Sequence, residues 1–199
     1  MYSTSSPGNS PVPAILVKVA GSIEELMQAF VVRAAVFMAE QRCPYGEEFD
    51  GNDFTATHLI GYVDGEPAGT LRLRYFAGFA KAERAAVRKE FRGYGLNRQL
   101  LDFAVCLVRR KGYTRLYGSA QKRLLDYWRG LGFEPLSKPE FHFSDHEYVP
   151  ILRPVTPDDA ILDEATPDMV LNRKEGEWDR PGILEESQGR PPTNPVSGD

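Results

Sequence analysis

Apolar and polar positions change rhythm several times along this chain. Ile15-Leu16-Val17-Lys18-Val19 alternates and predicts a first strand. Ser22 and Glu25, three apart, form a capping box that opens a helix. Ile23, Leu26, Met27, Phe30, Val31, Ala34 and Met38 recur at helical spacing, so this helix runs to about Gln41 with that stripe as its core face. Cys43-Pro44-Tyr45-Gly46 stops it. Residues 43–56 read as an acidic loop carrying Glu47, Glu48, Asp50 and Asp53. His58 to Val63 alternates weakly, Asp64-Gly65 supplies turn chemistry, and Ala68 to Tyr75 alternates clearly. That predicts a β-hairpin with one exposed face, on which Arg72 and Arg74 stand. Lys81 to Val87 is a further strand candidate. Gly95 then opens a second long helix, with Leu96, Leu100, Phe103, Ala104, Leu107 and Val108 facing the core. Arg109-Arg110-Lys111 suits its negative end, and Gly112 can end it with a left-handed residue. Tyr113–Tyr117 reads as a strand. Leu124, Leu125, Trp128 and Leu131 mark a short third helix. Strands follow at Phe133 and over Glu147–Val155.

This order predicts an α/β fold: a mixed central sheet of about six to seven strands flanked by helices. Three regions follow. Residues 1–13 are Ser/Pro/Gly-rich and read as a disordered leader, 14–155 hold the folded domain, and 156–199 form an acidic, Pro-rich tail. Residues 1–154 hold 20 Lys/Arg against 17 Asp/Glu, whereas residues 155–199 hold 4 against 11. The tail is therefore a separate acidic object, disordered or packed as an arm, with Met169-Val170-Leu171 and Gly182-Ile183-Leu184 as candidate anchors. The body lacks the concentrated basic face of a nucleic-acid binder. No apolar run is long enough to span a membrane, and the N-terminus has no apolar signal core. Cys43 and Cys106 show no metal-ligand spacing, so two free thiols in a reducing cytoplasm are expected, with no metal.

The chemistry concentrates in Val87-Arg88-Lys89-Glu90-Phe91-Arg92-Gly93-Tyr94-Gly95-Leu96-Asn97-Arg98. A strand ends there, and a Gly-rich turn feeds directly into a helix. Gly93 and Gly95 let the backbone turn tightly, and the free N–H groups of the new helix point outward. This is an anion site suited to phosphate, or merely a tight strand–helix turn. Residues 81–98 carry six cations and two anions, which favours the anion site. No Gly-Lys-Ser/Thr follows, so it is not a Walker loop, and the third glycine of a dinucleotide fingerprint is missing.

Arg92-Gly93-Tyr94-Gly95-Leu96-Asn97 resembles the acyl-CoA signature Arg/Gln-x-x-Gly-x-Gly/Ala of the GCN5-related N-acetyltransferase (GNAT) superfamily. Trp128-Arg129-Gly130-Leu131-Gly132-Phe133 resembles its Tyr-x-x-x-Gly-Phe. Arg33, Val36, Phe37, Glu40, Gln41, Cys43, Pro44 and Tyr45, with Asp50, Asp53 and His58 after them, resemble its ElaA-like branch. Ala120-Gln121 also fits, and the likeness spans about Ile15 to Val155. The resemblance implies the GNAT fold and acetyl-CoA as co-substrate. Gly93, Tyr94, Gly95, Leu96 and Asn97 would offer backbone N–H groups to the pyrophosphate, flanked by Arg92 and Arg98. The strand at Ala85, Ala86 and Val87 would pair with pantetheine. An amine, on a small molecule or a peptide, would approach from the other side, near Glu40 and the acidic loop. Dimers are common in the superfamily, so a homodimer stays open.

Three positions depart from the pattern. Asn97 replaces a small residue but keeps its N–H. Asp126 stands where the branch often has an Asn bonded to pantetheine, and a carboxylate cannot donate that bond. Trp128 replaces the tyrosine that protonates the leaving thiolate, and indole N–H has no useful acidity. Tyr127 would point about 100° away on the helix, leaving water or another group as the acid, or else a domain that binds without turnover. Glu83 and Glu40 are candidate bases for the amine. Glu83 reads equally as a solvated strand residue, and Glu40 as a loop anchor. His146, between Asp145 and Glu147, is a weaker candidate base within an exposed turn. The reading is an N-acetyltransferase working by direct attack in a ternary complex. The alternatives are a non-catalytic acyl-CoA-binding module whose acidic tail is an interaction arm, and a longer-chain acyltransferase.

Overall fold

A computed structural model describes residues 13–191, so the leader expected over 1–13 falls, Pro13 apart, outside the described residues. β1 (Ile15–Val19) and β2 (Thr57–Val63) pair antiparallel at one edge of the sheet. β2 turns into β3 (Glu66–Phe76) through Asp64 and Gly65, both at positive φ, the geometry that matches a two-residue hairpin to strand twist. β3 turns into β4 (Phe79–Val87), again antiparallel. The sheet continues through β5 (Arg115–Gln121) and β8 (His146–Pro154), with β6 (Glu134–Pro135) and β7 (Phe141–Phe143) both pairing β8. The order is β1-β2-β3-β4-β5-β8-β6, a mixed eight-stranded sheet. β7 is the strand the sequence reading did not separate; its signal is the alternation of Phe141-His142-Phe143 before Ser144 and Asp145, both at positive φ.

α1 (Ile23–Arg33) starts on Ser22, whose Oγ accepts the Glu25 N–H at 3.2 Å. It widens into a π-type segment over Ala34–Glu40, so the predicted length to Gln41 holds, but the predicted face does not. Ala29, Val32, Arg33 and Val36 are buried, whereas Ile23, Met27 and Val31 are exposed. Ala29 and Val32 pack on Ile60, and the buried side also carries a guanidinium that loop carboxylates hold inside. α2 (Tyr45–Glu48) is a single turn within the acidic segment.

α3 (Leu96–Arg110) crosses from β4 to β5 and buries Leu96, Leu100, Leu101, Ala104, Leu107 and Val108. It lies close to the sheet because β2 and β3 present glycines. A Cβ on Gly61 would meet Leu96 at 2.7 Å, and one on Gly69 would meet Leu96 at 2.8 Å. α4 (Leu125–Arg129) follows β5 and packs Trp128 edge-on against Phe133, with centroids 5.4 Å apart.

Residues 156–191 lie as an arm on the body, with short helices α5 (Asp168–Leu171) and α6 (Ile183–Gln188). The N–H groups of Asp158 and Leu162 cap the last carbonyls of α3, at Arg109 (3.2 Å) and Arg110 (2.8 Å). Trp178 is buried in the main core, and the Lys111 ammonium lies 5.7 Å from its ring centre. Trp178, not the expected apolar triplets, is therefore the principal anchor; Val170 packs against the core, while Leu171 and Ile183 are exposed. Trp178→Ala is expected to cost about 3 kcal/mol of stability. Chemical denaturation checks this, and a loss under about 1 kcal/mol would show the arm lies outside the cooperative unit.

Candidate functional site

The site begins where two strands part. β4 and β5 are parallel neighbours only at Ala80–Leu116 and Lys81–Tyr117. Beyond these pairs their facing edges are left without strand pairing, and a cleft opens between them. β4 lines it with Ala82, Glu83, Arg84 and Ala85, and β5 with Gly118, Ser119 and Gln121. Trp128, Phe133 and Tyr148 close its far wall, enclosing about 150 Å³. β4 is bulged here: Arg72 pairs Glu83 but Thr70 pairs Ala86, so three steps on β4 oppose two on β3. Arg84, inside the bulge, has φ +52°.

At the C-terminal end of β4 lies the Gly-rich turn. Gly93 and Gly95 adopt φ of +93° and +80°, and a Cβ on either would meet nothing within 4 Å. The first bond of α3 runs from the Gln99 N–H to the Gly95 carbonyl at 3.2 Å. The N–H groups of Leu96, Asn97 and Arg98 thus have no partner inside the helix, and the positive end of its dipole lies behind them. A cavity of about 500 Å³ sits over this turn, lined by Val87, Arg92, Gly93, Gly95, Asn97 and Tyr127 among others. Arg92 donates from Nε to the Val87 carbonyl (3.0 Å) and from Nη2 to Glu40 (2.6 Å). Asn97 Nδ2 donates to the Tyr127 hydroxyl at 2.6 Å. Tyr127 and Trp128 thus face different cavities, as their helical offset requires. Ala85 lines the cleft, Ala86 is buried opposite Thr70, and Tyr94 is exposed. Asp126 is almost fully exposed and pairs with Arg129; it lines neither cavity.

A second cavity, about 360 Å³, adjoins the cleft. The two share Ala82, Glu83, Arg84, Ser119 and Tyr148. Glu47, Phe141 and Phe143 form part of its outer wall. The sequence reading singled out none of Ser119, Tyr148, Phe141 and Phe143 as site residues, because they converge only through the β5–β8 pairing.

Behind both cavities lies a buried ion network. Arg72 is not on a solvated face, as its alternation suggested, but 1% exposed. It donates to Asp50 (2.7 and 2.8 Å), Asp53 (2.8 Å) and Glu83 (2.8 Å). Arg33, fully buried, bonds Glu48 and Asp53. Arg84 reaches the Glu47 carbonyl (2.7 Å), Glu48 (3.1 Å) and Asp50 (3.3 Å). Glu48, Asp50 and Asp53 are therefore turned inward onto cations rather than toward an approaching amine. Hydrogen bonds from Arg72 hold the Asp50 carboxyl well below the ordinary range despite burial. Burial pushes Asp53 and Glu83 up, but the cations outweigh it and both end low; for Glu83 these are Lys81 and Arg72. Glu48 goes the other way, raised by burial against Arg33. Burial also lowers His58, whose Nε2 lies 3.0 Å from the Asp53 carbonyl. Glu83 is thus an ionised, cation-bound carboxylate and a weak proton acceptor, while Glu40 is committed to Arg92.

Parted parallel strands, a glycine turn at a helix start and the Trp-Arg-Gly-Leu-Gly-Phe helix occur here together, and the family profile described as "Acetyltransferase (GNAT) family" matches residues 23–133. The chain belongs to the GNAT acetyltransferase family. It is 30% identical over 123 residues to the uncharacterized N-acetyltransferase YjcF of Bacillus subtilis (strain 168), covering 62% of this chain and 88% of that one. It is 26% identical to ElaA of Escherichia coli (strain K12) over 129 residues, 59% of this chain and 80% of that one. Among solved structures, an acyl-CoA N-acyltransferase from Pseudomonas aeruginosa superposes with a TM-score of 0.63 at 29% identity, over 71% of this chain and 99% of that one. The GNAT fold accounts for the mixed sheet and its flanking helices, and GNAT membership makes this an acyltransferase-family chain with ElaA among its relatives. Among the described residues no helix is long and apolar enough to cross a membrane, and no group of three or more His, Cys, Asp or Glu side chains could hold a metal ion.

Arg72→Met would leave Asp50, Asp53 and Glu83 short of their shared cation. A loss of about 3–5 kcal/mol at neutral pH is expected. The three carboxyls have folded pKa values below their unfolded ones. Their stabilisation is present above about pH 4 and fades as pH falls through the lowered folded values. The gap between wild type and variant should therefore narrow in acid, and denaturation curves at neutral pH and near pH 3 test it.

Proposed function

We propose that this protein binds acetyl-CoA and transfers the acetyl group to a primary amine by direct attack in a ternary complex. The observation that carries the reading is the pair of features on β4: a cleft where it parts from β5 and, past its C-terminal end, a glycine turn whose helix N–H groups have no partner inside the helix. The residues fit the group: the turn leaves room for a phosphate, and Arg92 and Arg98 flank it. In this reading the N–H groups from Gly93 to Asn97 hold the pyrophosphate, and the edge of β4 from Ala85 to Val87 pairs with the pantetheine arm. Acetyl-CoA supplies an activated acyl group. The amine enters through the cavity walled by Glu47, Phe141, Phe143 and Tyr148. Glu48, Asp50, Asp53 and Glu83 each have a cation within 4 Å, whereas Glu47 has none among the described residues. Glu47 is thus the carboxylate available to an ammonium group. Neither Cys43 nor Cys106 lines these cavities, which favours direct attack over a covalent acyl-enzyme. Both are free thiols, in keeping with a cytoplasmic setting.

A second reading, acyl-CoA binding without turnover, rests on Trp128, an indole where this fold's acid would be a phenol. Calorimetric titration with acetyl-CoA, CoA as control, tests the shared part. Micromolar affinity is expected, on the order of 8 kcal/mol. Gly95→Trp should weaken it about 100-fold by filling the turn and straining its positive φ. Unchanged affinity would refute the assigned loop. Thiol release across an amine panel then separates enzyme from binding module.

A further inference from the structure

Breaking the thioester releases a thiolate, which needs an acid to leave as a neutral thiol. The side chains around the cleft narrow the choice. Trp128 offers only an indole N–H. Glu83 is held ionised by Lys81 and Arg72, and so has no proton to give. Lys81 and Arg84 are themselves bound to carboxylates. Two hydroxyl-bearing residues line both the cleft and the adjoining cavity, Ser119 and Tyr148, and a phenol is much the stronger acid of the two.

Tyr148 is also held for the task. Its ring stacks on Phe141, 5.6 Å between centroids and 15° from parallel, and Phe143 meets it edge-on at 6.2 Å. Its hydroxyl oxygen accepts the Gln121 Nε2–H at 3.3 Å. The orientation of that amide is fixed from behind. Gln121 Oε1 accepts Arg123 Nε–H at 2.9 Å, and a guanidinium can only donate, so the NH₂ must face Tyr148. The phenol proton is therefore not used on Gln121, and no described residue accepts it. An oxygen that receives a hydrogen bond from a cation-polarised amide is steadied as its own proton leaves.

We propose that Tyr148, not the α4 position now occupied by Trp128, is the acid that protonates the departing CoA sulfur; this rests on the acyl-transfer reading above. The amine nitrogen forms its bond to the acetyl carbon with its lone pair. The C–S bond breaks and its electron pair goes to sulfur. The Tyr148 O–H bond breaks as the S–H bond forms, its pair staying on the phenol oxygen. The nitrogen, which enters as an ammonium group, loses two protons to water, one before the attack and one after it, and Tyr148 regains one from water. The balance is an acetamide and a neutral thiol.

Tyr148→Phe keeps the ring and its stacking, so its melting temperature should match wild type. Two readouts test the acid. In kinetics, turnover with acetyl-CoA should fall about 100-fold, the lower end for general acid catalysis. With an acetyl nitrothiophenyl thioester, whose thiol is acidic enough to leave unprotonated, the rate should change by less than about threefold. The second readout needs no turnover: the thiol of bound CoA is titrated by its ultraviolet thiolate absorbance. A phenol donating to sulfur favours the thiolate, so the wild-type midpoint should lie about one pH unit below that in Tyr148→Phe. Equal slowing with both donors, identical midpoints, or loss of turnover in Ser119→Ala with Tyr148→Phe unaffected would each overturn the assignment. Failure of wild type to bind CoA would instead remove the acyl-transfer reading, and this inference with it. Binding with identical midpoints would remove only the inference.

Discussion

Everything at this site depends on keeping two neighbouring strands apart. Unpaired strand edges inside a sheet are costly, and the default outcome is a closed ladder. β4 and β5 close theirs at Ala80–Leu116 and Lys81–Tyr117 and then diverge. The divergence is held from both sides. On one side the bulge bends β4, and Arg84 accepts a positive φ that a non-glycine residue disfavours by on the order of 1 kcal/mol. Its guanidinium is bonded to the acidic segment at Glu47, Glu48 and Asp50, which offsets the strain. On the other side Trp128 and Phe133 fill the space behind the cleft, and Gln121 and Tyr148 bridge β5 to β8. The cleft is a built opening rather than a packing defect.

The ion network follows from the same requirement. A bulged strand cannot be steadied by ladder bonds at the bulge, so side chains must do it. Arg72, one step along β3, gathers Asp50, Asp53 and Glu83 from two other segments. Such a cluster is poor evidence for net stability, since desolvating the charges opposes their attraction. It is good at fixing one arrangement, because each partner left alone in the interior would be expensive. The network thus turns a 14-residue stretch that reads as a loop (43–56) into a rigid wall of the site.

How far the sequence discloses this depends on whether the information is local. The element order apart from α2 and β7, the capped first helix, the hairpin at Asp64-Gly65 and the glycine turn before α3 are all legible, because each is set by neighbours within a few residues. Three features are not. The face of α1 was misassigned because Arg33 reads as polar, yet Glu48 and Asp53, 15 and 20 residues on, hold it inside. Arg72 read as solvated because strand alternation records polarity and not the partner that satisfies it. The cavity wall of Ser119, Phe141, Phe143 and Tyr148 was invisible because it depends on the register Gln121–Tyr148 and Phe141–Tyr148 between strands distant in sequence. Trp128 is legible as a departure from the family pattern, but which other hydroxyl-bearing residues line the same cleft is not, because that depends on the fold.

The proton economy of the site follows from that wall. Carboxylates close to the cleft are poor proton carriers here, because the cations that steady the bulge also hold Glu83 and Asp50 ionised. An architecture that spends its acids on structure must find catalytic protons in groups outside the network. In the proposed reaction Tyr148 is such a group: it lines both cavities, and among the described residues its oxygen is hydrogen-bonded to a neutral amide and to no carboxylate. On the same reading Glu47 would be its counterpart for the amine, the one carboxylate of this wall without a cation within 4 Å among the described residues. Structural and chemical duties are thereby carried by different side chains a few positions apart. Glu48 and Arg84 hold the strand bent, while their neighbours along the wall stay free to meet a substrate.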